Sequence, residues 1–318
     1  MKLVPVVDPS AGDAAATIDR ACREVGFFAV PLAPELVAAR DHLLALAAEF
    51  FALADDEKAA VSMEVGGPAW RGWFPLGGEL TSGIPDRKEG YYFGTELPPD
   101  PRPMHGPNVW PARPPELRTA VTDWMSAMES LGQQLLSVMA VGLGREPGFF
   151  ANGLTADPTS LFRIFRYPPH PDGDSATWGV GEHSDYGLLT LLVTDGTPGL
   201  EVKVQGDWVP APADADLVVC NLGDMLDRLT GGRYRSTPHR ARNHAGHDRY
   251  SLPFFLDPGW HASVEPLEFD DDWQVPLDAH ARWDRGNLRD LHGSYGEWLG
   301  AKVAKVFPHL ADRQRDSV

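Results

Sequence analysis

The sequence predicts a mixed α and β fold: a β core of the double-sheet jelly-roll or barrel kind, braced by helices that lie mainly before it. Three observations carry this. Two long helical patterns dominate the chain up to Gly142. From Leu161 the texture changes to short strands broken by Gly, Pro and Asp turns. Among them, a polar head, Gly181-Glu182-His183-Ser184-Asp185-Tyr186-Gly187, runs into an apolar tail, Leu188-Leu189-Thr190-Leu191-Leu192-Val193.

Taken in order, Leu3 to Val7 reads as a short strand closed by Asp8-Pro9. Ala14 to Val25 has helical spacing in Ile18, Ala21, Cys22 and Val25, and stops at Gly26. Phe27 to Val30 is a second strand. Pro34 to Leu53 is an amphipathic helix with Leu36, Leu43, Leu44, Ala47 and Phe51 on its apolar side. Gly66 to Pro101 is rich in Gly, Pro and aromatics and reads as loops plus one strand, Glu89–Gly94. A second long helix runs from Pro114-Pro115 to Gly142, with Leu117, Val121, Trp124, Met125, Met128, Leu131, Leu135 and Val138 as its buried stripe.

The strands expected next are Leu161–Tyr167, His183–Val193, Leu200–Val204, Trp208–Val209, Leu217–Asn221, His239–Asn243 and Tyr250–Leu256. Val275 onward is mixed and closes with an amphipathic helix near Leu291–Phe307. Residues 1–110 form an N-terminal region of helices and strands. Residues 111–318 hold the spine helix, the β core and the C-terminal helix as one compact unit.

The chain has 318 residues, 43% hydrophobic and 23% charged, an ordinary globular composition. A formal charge of −17 argues against a nucleic-acid partner or an anionic membrane surface. The two cysteines, Cys22 and Cys220, indicate buried free thiols rather than a disulfide framework. The first residues lack the apolar run and cleavage site of a signal peptide, and no stretch approaches the roughly 20 apolar residues of a membrane span. A cytoplasmic protein is expected, with its oligomeric state open.

The chemistry-bearing residues fall in two clusters. His183 and Asp185, two apart on an extended chain, present an imidazole and a carboxylate on one face. His239 stands on a later strand that intervening hairpins can return to the first pair. Two histidines and one carboxylate without a cysteine ligand fit the facial triad that holds non-haem Fe(II). Zinc with three protein ligands and a water is the competing metal. Ten residues after His239, Arg249 and Ser251 share a strand face with Phe255, and a guanidinium beside a hydroxyl makes a carboxylate clamp. Its plainer reading is a salt bridge at a strand end.

With His183-x-Asp185, His239 and Arg249-x-Ser251 in this order, the sequence resembles the isopenicillin N synthase-like family of Fe(II)/2-oxoglutarate-dependent oxygenases. Asp86-Arg87-Lys88-Glu89-Gly90-Tyr91-Tyr92-Phe93-Gly94, Asn221-Leu222-Gly223-Asp224-Met225 and Arg235-Ser236-Thr237-Pro238-His239-Arg240 carry the likeness further, and it spans most of the chain. The resemblance implies a distorted double-stranded β-helix, or jelly roll, with iron bound by His183, Asp185 and His239. It implies that Arg249 and Ser251 hold the distal carboxylate of 2-oxoglutarate and that Tyr167 sits near this co-substrate. The implied reaction oxidises a C–H bond of a small molecule with O2, by hydroxylation, desaturation or cyclisation, and releases succinate and CO2.

Phe165 stands where many relatives carry Asn, so a polar contact to the co-substrate or substrate is either missing or replaced, with Arg166 the candidate to replace it. Arg71, Phe74, Tyr91, Phe93 and Phe255 are the substrate-contact candidates, with Arg71 placed to pair a substrate carboxylate or to make a structural ion pair. Two alternatives stay open: an iron oxidase of the isopenicillin N synthase type that needs no 2-oxoglutarate, and a non-catalytic metal-binding small-molecule sensor.

Overall fold

The computed structural model describes residues 4–81, 83–170, 177–269, 288 and 292–307. Helix α1 (Ala14–Glu24) buries Ala14, Ile18, Ala21 and Cys22, a stripe at helical spacing. It gives way at Gly26, whose φ of 71° is a left-handed turn that glycine enters without a Cβ penalty. Strand β1 (Phe27–Pro31) follows at once, then α2 (Pro34–Phe51), with proline in its first turn. The single-turn helices α3 (Asp55–Ala59) and α4 (Met63–Gly66) lead to β2 (Gly72–Phe74), β3 (Leu80–Thr81), β4 (Ile84–Pro85) and β5 (Glu89–Gly94).

The spine helix α5 (Leu117–Gly142) buries Leu117, Val121, Trp124, Met128 and Leu135 along one side. It packs against α1 and α2 and against the β core that comes after it. That core is built from β6 (Thr159–Tyr167), β7 (Val180–His183), β8 (Leu189–Thr194), β9 (Leu200–Val204), β10 (Asp207–Pro210), β11 (Leu217–Leu222), the short helix α6 (Asp224–Leu229), β12 (His239–Ala241) and β13 (Arg249–Asp257). Helix α7 (Tyr295–Val306) closes the described chain and starts at a capping box, with Ser294 and Glu297 bonding each other's backbone N–H. No helix among the described residues is long and apolar enough to cross a membrane.

Antiparallel pairing arranges the strands in a seven-stranded sheet, β1-β11-β8-β13-β6-β5-β2, and a four-stranded sheet, β10-β9-β12-β7. This is the predicted double-sheet jelly roll. Strands from before residue 110 complete the larger sheet: β1 pairs β11, and β5 pairs β6. Residue parity divides β13 cleanly. Leu252, Phe254 and Leu256 are fully buried, and Leu256 reaches α5 where Gly132 leaves no side chain in its way. Arg249, Ser251, Pro253, Phe255 and Asp257 face the other way, into a cavity between the sheets.

Four expectations change. Leu3–Val7 is not a strand: Val6 makes one isolated parallel bridge to Ala29, because Pro5 has no N–H with which to extend a ladder, and Leu3 lies outside the described residues. The stretch His183–Val193 is two strands in different sheets, since β7 ends at His183 and β8 begins at Leu189. The turn between them is forced by close packing, for a Cβ on Gly187 would lie 1.4 Å from Asp257 Oδ1. The aromatic segment holds β2 and the β3–β4 pair besides β5, and α6 had no counterpart in the sequence reading. Of the mixed segment from Val275, Leu288 and residues 292–307 are described, while Leu291 and the remainder lie outside the described residues.

Candidate active site

His239 and His183 face each other as register partners of β12 and β7. Their ring centroids are 4.2 Å apart. Each Nδ1–H donates to a backbone carbonyl two residues earlier, His183 to Gly181 at 2.8 Å and His239 to Thr237 at 3.1 Å. Those bonds fix one tautomer on both rings and turn both Nε2 lone pairs toward the same point. Phe27 of β1 packs edge-on against the His239 ring.

Asp185 sits just past β7 in the turn. Its Oδ1 is 3.8 Å from His183 Nε2 and 3.7 Å from His239 Nε2. Its Oδ2 accepts hydrogen bonds from Thr190 and from Asn221 Nδ2, so one oxygen is anchored and the other faces the imidazoles. Helix α6 holds the turn itself. The Asp224 N–H donates to Asp185 O at 2.8 Å, Met225 N–H to Gly187 O at 3.0 Å, and the Ser184 hydroxyl to Asp224. Gly223 is required there, because a Cβ would lie 2.3 Å from Gly187 O.

The charges agree with a metal site. Burial and the adjacent His239 drive the His183 pKa down to about 3, which keeps its ring neutral and able to ligate. Burial alone would raise Asp185, but His239, His183 and the two anchoring hydrogen bonds outweigh it and hold the carboxylate below its usual value. These three side chains form a metal-capable cluster whose ligand atoms all lie within 4.8 Å of one another.

The same cavity, about 740 Å³, contains the second cluster. Arg249 is 2% exposed. Its Nε donates to Thr197 O and its guanidinium lies over the Tyr167 ring, while its buried Nη1 has no hydrogen-bond partner among the described residues. Ser251 donates to the Tyr167 hydroxyl at 3.4 Å. A buried arginine with an unused donor, beside two hydroxyls, has the chemistry to take a carboxylate.

A family model described as the 2OG-Fe(II) oxygenase superfamily matches residues 158–258, and one described as non-haem dioxygenase in morphine synthesis N-terminal matches residues 3–113. A Dictyostelium discoideum protein named "Probable iron/ascorbate oxidoreductase" is 39% identical over 92% of this chain and 88% of its own length. The chain belongs to the 2OG-Fe(II) oxygenase superfamily. A homoarginine-6-hydroxylase of Glycine max is 33% identical over 95% of this chain and 92% of that one. Among solved structures, a full-length Neurospora crassa protein in complex with alpha-KG and thymine superposes with a TM-score of 0.78 at 25% identity, covering 95% of this chain and 96% of that one. A Caulobacter crescentus protein of the 2OG-Fe(II) oxygenase family gives 0.76 at 28% identity, covering 95% and 98%. The chain is therefore an Fe(II)- and 2-oxoglutarate-dependent oxygenase that oxidises small molecules.

Within this oxygenase the structure draws together His183, Asp185, His239, Arg249, Ser251, Tyr167 and Phe255, all on the cavity wall. It does not bring Arg71, Phe74, Tyr91 or Phe93 there. Arg71 is buried with Nη2 donating to Met104 O. Tyr91 and Phe93 stack on each other in the core, and Tyr91 donates to Val109 O. Phe74 packs behind the wall on Tyr92 and Phe165. In β5, where every residue is buried, the opposite parity faces the cavity through Tyr92. Phe165 lines the cavity, but Arg166 does not replace a lost contact there: it pairs with Glu89 and Asp248, each at 2.6 Å, on the other face of β6. Arg163, Lys88, Glu79 and Tyr186 also line the cavity and escaped the sequence reading. One signal was available: two arginines three apart in a strand must point to opposite faces, so one of Arg163 and Arg166 had to face inward.

Proposed function

We propose that His183, Asp185 and His239 hold Fe(II), and that Arg249, with Ser251 and Tyr167, holds the distal carboxylate of 2-oxoglutarate. The observation that supports this best is the buried Arg249 Nη1 without a partner among the described residues, in one cavity with two imidazoles of fixed tautomer and an anchored carboxylate. The donor set fits the metal: two imidazole nitrogens and one carboxylate oxygen are ligand types that would hold Fe(II). When bound, Fe(II) supplies the power to oxidise a substrate C–H bond with O2 as 2-oxoglutarate becomes succinate and CO2.

The protein's part is orientation. Gly181 O and Thr237 O aim the imidazoles, Thr190 and Asn221 hold the Asp185 carboxylate against rotation, and the Arg249 guanidinium would fix the distal end of the co-substrate. Two buried free cysteines fit a reducing compartment such as the cytoplasm. A second reading, an iron oxidase that needs no 2-oxoglutarate, has one observation in its favour: a 1-aminocyclopropane-1-carboxylate oxidase of Dictyostelium discoideum is 30% identical over 96% of this chain and 95% of that one.

One experiment separates the two. Fe(II)-loaded protein is titrated anaerobically with 2-oxoglutarate while a visible charge-transfer band is followed. A saturable band, weakened at least about thirtyfold in Arg249→Ala, is the expected result, because removing one member of a buried charge pair costs about 2–5 kcal/mol. Iron binding without a band would favour the second reading, and failure to bind iron would reject the triad.

A further inference from the structure

We propose that the substrate of this oxygenase carries a carboxylate, and that Arg163 receives it. This rests on the reading of the metal and co-substrate residues given above and extends it along β6, the strand that also carries Tyr167.

The charge on the wall runs against the charge of the chain. The formal total is −17, yet the cations Lys88, Arg163, Arg249, Lys302 and Lys305 line the cavity against the acids Glu79, Asp185 and Asp257. Asp185 and Arg249 belong to the metal and co-substrate. Lys88 is matched twice, by Glu79 at 2.7 Å and by Asp86 just behind the wall. Asp257 contributes less charge than its formal count, since burial lifts its carboxyl to about 7.

Arg163 lines the cavity with no carboxylate within hydrogen-bond distance among the described residues. Its ion pair is with Glu79 Oε1 at 3.8 Å, too long for a hydrogen bond, and that oxygen already accepts from the Tyr92 hydroxyl. Its buried Nε has no hydrogen-bond partner among the described residues. The guanidinium lies 4.1 Å from the Tyr92 ring centroid and 4.7 Å from that of Phe255. Both rings line the cavity and hold the group in place without offering a carboxylate acceptor. The contrast with its neighbour on the strand is sharp, because Arg166 has two carboxylates at 2.6 Å.

A rigid guanidinium with unused donors takes a planar carboxylate in two parallel bonds. The aromatic rings beside it favour an apolar body next to that group. Helix α7 adds Lys302 and Lys305 along the same wall, so the cavity attracts an anion despite the acidic surface outside it.

The test uses full-length protein loaded with Mn(II) and saturated with 2-oxoglutarate, so that Arg249 is occupied. Matched probes, phenylacetate against phenylacetamide and hexanoate against hexanamide, are titrated by calorimetry. The acids are expected to bind about tenfold or more tighter than the amides, with the ratio falling to near one in Arg163→Gln and partly kept in Arg163→Lys. The 2-oxoglutarate affinity of each variant, measured first, reports on folding and separately tests the co-substrate assignment. Three results would overturn the proposal: acids binding no tighter than amides in the wild type, a ratio that survives Arg163→Gln, or a ratio lost in Arg249→Gln while Arg163→Gln keeps it.

Discussion

Asp257 gives a quantitative test of how the site is built. It ends β13, is buried, and accepts a hydrogen bond from the Tyr295 hydroxyl of α7. The missing side chain of Gly187 is what admits it. Burial first, and then the negative charge of Asp185, raise its pKa from 3.8 to about 7, against the opposing pull of the Tyr295 bond and the Leu188 N–H. The folded protein therefore keeps a proton that the unfolded chain releases. Between about pH 4 and 7 stability falls as pH rises, by about 1.4 kcal/mol per pH unit, and above 7 the full penalty of about 4 kcal/mol is present.

Asp257→Asn keeps an acceptor for Tyr295 and removes the ionisation. Its stability relative to wild type is expected to be near zero at pH 4 and to grow to several kcal/mol by pH 8. His183, lowered to about 3, acts in the opposite direction below its unfolded value of 6.5, but it is common to both proteins and cancels in the difference. Urea unfolding of metal-free protein, followed by tryptophan fluorescence from pH 4 to 8, measures it. A difference that does not change with pH would refute the reasoning.

Three further outcomes follow from the contacts. Asn221→Ala removes one of the two donors on Asp185 Oδ2 and is expected to weaken metal binding about 10- to 100-fold in a chelator competition; unchanged affinity would deny Asn221 an orienting role. Lys88→Met leaves Glu79 and Asp86 buried without their shared cation, so urea unfolding should show a loss of about 3–5 kcal/mol, largely recovered when Glu79→Gln and Asp86→Asn are added. Arg249→Lys keeps a charge but not the planar fork, and calorimetry should place its 2-oxoglutarate affinity between those of wild type and Arg249→Ala.

The sequence was most informative where a residue's neighbours follow from the strand period. Arg249, Ser251 and Phe255 share a face because parity leaves no alternative along nine uninterrupted residues. The long stripe of α5 was equally plain, since its apolar residues recur at helical spacing over many turns. Parity could give no guidance at β5, where a strand buried on both faces carries no alternation to separate Tyr92, which lines the cavity, from Tyr91 and Phe93. It failed between His183 and Leu189, where the apolar tail masked a passage from one sheet to the other. Arg163 and Lys88 were hidden for a different reason: what distinguishes them is which carboxylates stand nearby, and those come from distant segments.

The two ends of the cavity are made of different material. Arg249, Ser251 and Tyr167 stand on β13 and β6, nine-residue strands paired with each other deep inside the larger sheet. The far end is walled by the two-residue strand β3 and by α7, elements near the margins of the fold. Descent with modification can thus rework the far wall while the reactive end stays fixed, since a loop or helix exchanged there leaves the long-strand ladder untouched. A laboratory library aimed at new substrates belongs on β3 and the cavity face of α7, with β6, β8 and β13 left as they are.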